Sequence, residues 1–112
     1  MDIAVTHVYD LVVLTITGEI DLVTAPQLAE SIDTVVTEHA PAAIVVDLSA
    51  VTFLASVGMM VLAQAGERIG QSTRFAVVAD GYPTGRPLEL MGLDHAFAVY
   101  SDVDAAVTAL TS

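Results

Sequence analysis

The sequence predicts an α/β fold, a mixed and largely parallel sheet of about five strands with four helices packed against it. Three observations carry this. Short β-branched runs alternate with stretches of helical periodicity, in the order β-β-α-β-α-β-α-β-α. Two of the runs, "AIVVDLS" (43–49) and "FAVVA" (75–79), are almost continuously apolar, as strands covered by helices are. Turn and cap residues stand at the joints between them. No internal repeat or linker interrupts the order, so residues 1–112 read as one domain, with right-handed crossovers wherever a helix joins parallel strands.

Residues 3–8 and 11–17 read as two strands joined at "YD" by a hairpin turn. In "GEIDLVTAPQL", Thr24 suits an N-cap, Pro26 the first turn, and Gln27 completes a T-x-x-Q capping box. Leu28, Ile32, Val35 and Val36 then recur at helical spacing and predict an amphipathic helix over 25–38. After the 43–49 strand and "AVTFLA" comes a second helix, about 57–69, with Gly70 placed as its C′ residue. "DGYPTGRP" is a loop after the 75–79 strand, and Pro87 opens a short helix that Gly92 ends. "AFAVY" (96–100) is the last strand, and Ser101 with Asp104 makes a capping-box-like start to a final helix ending near Leu110.

Composition narrows the function classes. Hydrophobic residues make up 54% of the chain, too many for a disordered tail. There is no cysteine, which excludes a disulfide framework and a thiolate metal site. Fourteen Asp and Glu face only Arg68, Arg74 and Arg86, for a net charge of −11. So acidic a chain lacks the cations that displace counterions from DNA or RNA, and it is repelled by anionic membrane surfaces. The acidity aids solubility or suits a partner with a basic face. The uncharged window from Leu48 to Gly66 is long enough to span a bilayer. Polar residues and two glycines interrupt it and no basic cluster flanks it, so a buried strand, a turn and a buried helix explain it better. The N-terminus has no signal-peptide pattern, and the cytoplasm is the expected compartment.

No catalytic set emerges. His7, His39 and His95 are dispersed and lack metal-ligand spacing. "GERIG" (66–70) ends a helix instead of opening one and is followed by no lysine, so it is no phosphate loop. Ser56 lacks the first glycine of a nucleophile elbow, Leu54 standing in its place. Glu19, Asp21 and Asp47 could gather at one edge of the sheet, where solvated loop-end acids are the plainer reading. Neither an enzyme nor a cofactor or metal is expected.

Ser56 itself has two readings. It directly precedes an apolar helix, and its hydroxyl can cap the amide of Gly58 or Met59, a role typically worth ~1 kcal/mol. The same geometry exposes a hydroxyl at a strand-to-helix turn, where the helix N-terminus stabilises a negative charge such as a phosphate. Gly58 permits close approach of a neighbouring backbone. Of Met59 and Met60, one is expected to face outward, because a helix on a sheet buries only a stripe; together they fill core or offer an adaptable contact surface.

Three segments resemble the STAS domain, in particular the stand-alone anti-sigma factor antagonists of bacteria. "GEIDLVTAPQL" (18–28) is close to G-E-[IL]-D-x-x-T-A-x-x-L. "VVDLSAVTFLASVGMMVL" (45–62) is similar to [VI]-[VL]-[DN]-L-S-x-[VL]-x-F-x-D-S-x-G. "RPLELMGLDHAFAVYSDVDAAVTAL" (86–110) is similar to the R-x-[LF]-x-x-x-G-[LF]-x-x-x-F-x-[VI]-[YF] tail. The resemblance implies a module that binds an anti-sigma factor, a serine kinase of the histidine-kinase ATPase fold, and so frees a sigma factor. It implies phosphorylation at Ser56, which ends binding, and a serine phosphatase that restores it. Two neighbours depart from the pattern: Ala55 stands where the family has an acid, and Val57 where it has Ser or Thr. The expected contact centre is Ser56, Val57, Gly58, Met59 and Met60, with Asp21 and Thr24 on the rim. The alternative is a STAS subunit of a membrane transport complex that binds its ATPase. The oligomeric state, monomer or weak dimer, stays open.

Overall fold

The computed structural model of the chain describes residues 1–111. Five strands form one sheet in chain order: β1 (Asp2–Val8), β2 (Leu11–Ile20), β3 (Ala43–Leu54), β4 (Arg74–Val78) and β5 (Ala98–Tyr100). β1 and β2 pair as an antiparallel hairpin, and every later pairing is parallel, so the sheet is mixed and mostly parallel as expected. The hairpin turns at Tyr9 and Asp10, where Tyr9 takes a left-handed φ of 57°.

The connecting helices are α1 (Ala25–His39), α2 (Ser56–Ile69) and α3 (Gly85–Leu90), the last followed by a 3₁₀ turn at Leu93–His95. Each crossover steps to the next strand in the same direction. Right-handed connections therefore place all three helices on one face of the sheet. Side-chain alternation agrees: Val12, Leu14, Ile16, Ile44, Val46, Leu48, Phe75 and Val77 join Leu28, Ile32, Leu62 and Leu88 in the main core. Val13, Val45 and Val78 point the other way and meet α4 (Val103–Thr111) through Ala106 and Val103. β3 is buried on both faces over Ala43–Leu48, which accounts for its continuous apolar run.

Several caps differ from expectation. Thr24 does not cap α1: its backbone is already right-handed and its side chain makes no cap bond, so the T-x-x-Q box does not form. Ser56 is the first helical residue of α2, and the N-cap is Ala55, with ψ of 161° and no side chain able to cap. Gly70 closes α2 with a right-handed φ of −63°, so it is no left-handed C′ glycine. At α4, Asp102 and not Ser101 does the capping, its Oδ1 accepting from the Ala105 amide at 2.7 Å. Gly92 does take a left-handed φ of 72° and follows α3 as expected. β3 runs five residues further than 43–49, through "AVTFL", and that extension shapes the candidate site.

Candidate functional site

β3 pairs with β4 only as far as Asp47 with Val78. Its pairing with β2 continues to Ile20 with Leu54, past two register shifts. A two-stranded ribbon therefore projects beyond the sheet at the carboxyl ends of the parallel strands. The Ala55 amide extends the ribbon by donating to the Ile20 carbonyl at 2.9 Å. This bond clamps the 21–24 loop beside the start of α2.

The loop is built around Asp21 and Thr24. Asp21 Oδ1 accepts from the amides of Val23 and Thr24, each at 3.0 Å. Thr24 Oγ1 accepts in return from the Asp21 amide at 2.9 Å, and its proton lies within reach of the Glu19 carbonyl (3.0 Å) and Asp21 Oδ1 (3.1 Å). Asp21 thus does the work expected of Thr24, holding the first amides ahead of α1. The Thr24 amide holds the Asp21 carboxyl below its ordinary value; desolvation opposes this, while the Thr24 hydroxyl, the Val23 amide and the Met1 amino group support it.

Across the clamp, Ser56 is exposed and its hydroxyl caps nothing. The amides of Gly58 and Met59 both donate to the Ala55 carbonyl, at 3.0 and 3.2 Å. Those of Ser56 and Val57 precede the intrahelical ladder and leave the positive end of α2 facing outward. Gly58 is buried against side chains, not a backbone: a Cβ there would lie 2.5 Å from Ile20 Cγ2 and 3.0 Å from Leu54 Cδ1. Met59, expected at the contact centre, is 6% exposed and belongs to the core, and Val57 packs partly against it. Met60 is the outward methionine, at 59%.

Sequence reasoning missed three exposed apolar side chains at the same end of the sheet as Ser56. Leu22 and Val23 stand on the clamped loop at 76% and 84% exposure, and Phe53 on the ribbon at 50%. Their signal was present: two large aliphatics inside a turn, and an aromatic breaking the strand pattern. Asp47 does not join Glu19 and Asp21. It is buried at the last β3 position paired with β4, opposite Thr15 and four β2 positions before Glu19, and its carboxylate accepts from the Ser49 amide at 2.9 Å. The arrangement is a half-apolar ledge with one exposed hydroxyl at a helix start. No helix among the described residues is long and apolar enough to cross a membrane.

The family model of the STAS domain matches residues 2–106, and the chain belongs to that family. Within it, the chain is similar to anti-sigma factor antagonists. It is 54% identical over 96 residues to the anti-sigma-F factor antagonist RsfB of Mycobacterium tuberculosis, covering 86% of this chain and 78% of that protein. It superposes on the crystal structure of an anti-sigma factor antagonist from Mycobacterium paratuberculosis with a TM-score of 0.93 and 45% identity, over 99% and 94% of the two chains. The anti-sigma factor antagonist SpoIIAA in its unphosphorylated form shares the fold at a TM-score of 0.69, with 16% identity over 96% and 94%.

Proposed function

We propose that this chain is an anti-sigma factor antagonist that docks an anti-sigma factor on the ledge around Ser56 and thereby releases a sigma factor. The observation that carries this is the exposed Ser56 at the end of the sheet where Leu22, Val23, Phe53 and Met60 are also exposed. Burial of these large exposed apolar side chains drives association, against the cost of fixing their rotamers. Asp21 and Thr24 fix the loop that presents two of them.

The partner in this proposal is a serine kinase of the histidine-kinase ATPase fold that modifies Ser56, with a serine phosphatase to reverse it. A phosphate would add about −1.5 to −2 charges to the middle of an apolar contact, where desolvation opposes docking. The α2 N-terminus tolerates that charge, so the switch would abolish binding and leave the fold intact. The acceptor hydroxyl is exposed and makes no cap bond, which leaves it open to a kinase.

Calorimetry against the anti-sigma factor of the same organism tests docking. Wild type and Ser56→Ala bind alike, while Ser56→Glu binds at least about tenfold more weakly, or ~1.4 kcal/mol. Absence of wild-type binding refutes the antagonist role. Incubation with the kinase and ATP adds one phosphate to the intact mass of wild type and none to Ser56→Ala. An unchanged wild-type mass removes the switch and leaves docking standing.

A further inference from the structure

Two of the three histidines meet at the end of the sheet opposite Ser56. His7 lies near the end of β1, in register with Val12 at the start of β2, and His39 is the last residue of α1. Their ring centroids are 4.9 Å apart with planes at 72°, and both residues are exposed. The fold alone brings them together, since β2 and all of α1 separate them in the chain. Their carriers are held by the β1–β2 register and by the Ala42 amide, which donates to the Asp10 carbonyl at 3.0 Å.

The surroundings favour a cation. α1 ends at His39, so the negative end of its dipole points at this spot. Asp10 lines the same shallow hollow as the two rings, and the whole chain carries −11. Imidazole nitrogen is the donor that zinc and copper prefer among the side chains present here. Zinc–nitrogen bonds run to about 2.0–2.1 Å, and rings with centroids 4.9 Å apart are close enough for one nitrogen of each to share an ion.

We propose that His7 and His39 form a two-imidazole site for a divalent first-row transition metal ion, zinc or copper, with water completing its coordination. No group of three or more His, Cys, Asp or Glu suited to a metal occurs among the described residues, so the site is bidentate and open. It lies at the pole away from the 21–24 loop and the start of α2, and metal binding there leaves the Ser56 ledge free.

Titration of the untagged full chain with zinc chloride and with copper chloride tests the site, followed by calorimetry and by the imidazole proton resonances. One ion binds per chain, copper more tightly than zinc. His7→Ala and His39→Gln each weaken binding at least about tenfold, whereas His95→Ala, which removes the isolated histidine, leaves it unchanged. Zinc raises the thermal midpoint of wild type and of His95→Ala, because an ion bound only by the folded chain stabilises it, and does not raise that of the other two. Equal weakening by His95→Ala, or binding of the urea-unfolded chain as tight as that of the folded one, overturns the proposal. Retention of folded far-UV dichroism by His7→Ala and His39→Gln separates loss of the site from loss of the fold.

Discussion

Gly58 shows how one residue sets the shape of the ledge. It was legible as a place of close approach, but what approaches is the Ile20 side chain, fixed in a strand and fully buried. Gly58→Ala forces that contact, and over-packing of ~1–3 kcal/mol outweighs the ~1 kcal/mol that alanine gains over glycine in a helix. The expected result is a net loss of stability in urea, with α2 displaced and docking weakened; a stabilised variant would contradict it. Ser56 illustrates the opposite. Its cap role was inferred from local pattern, yet a shift of the helix start by one residue turned the cap into Ala55. Asp21 took over a role read into Thr24, because both residues bond locally and only the observed backbone decides which oxygen meets the amides. The folded Asp21 carboxyl lies below its ordinary value of 3.8. Its contribution to the loop is therefore complete above that value and is lost as pH falls through the lower folded one. The amide resonances of Val23 and Thr24 should titrate together with a midpoint below 3.8, and Asp21→Asn should abolish that transition.

Among the elements, every strand and helix was legible in kind and order, because apolar runs and helical periodicity report which faces are buried. Lengths were less so. β3 was read to end at Ser49, since the polar Ser49 and Thr52 break its apolar run, whereas pairing with β2 carries it to Leu54. The projecting ribbon was invisible for the same reason, and with it the exposure of Phe53. α4 presents a simpler case. Among the described helices it alone covers the second face of the sheet, and Asp102 anchors its first turn through the Ala105 amide. Asp102→Ala should cost ~1 kcal/mol, as loss of a helix cap typically does. Amide exchange should quicken in the first turn of α4 and leave α1 and α2 unchanged; uniform quickening would point to a global effect instead.

At the scale of the whole molecule, charge is the dominant feature. The net −11 is spread over a body with a radius of gyration of 12.4 Å. Arg68 of α2 and Asp33 of α1 form an exposed ion pair, of a kind worth at most about 1 kcal/mol. At about 0.01 M salt the Debye length of about 30 Å matches the longest extent of the molecule, 30 Å, so its acids repel one another across it; at 0.15 M the length falls to about 8 Å. Added sodium chloride should therefore raise the thermal midpoint, screening more repulsion than attraction. A midpoint that falls with salt would show that attractive pairs dominate.

The amino-acid sequence by itself determined the α/β class, the order of the elements, the family and the position of Ser56. These follow from periodicity and short motifs, which are properties of neighbours along the chain. Tertiary structure decided which side chains surround that serine. Leu22 and Val23 come from the crossover after β2, Phe53 from β3 and Met60 from α2, and the β2–β3 register with the Ala55–Ile20 bond brings their segments to one end of the sheet. It likewise turned Met59 inward and Met60 outward, and it brought His7 against His39. Such meetings depend on the pairing of distant backbone, and no local pattern in the chain encodes them.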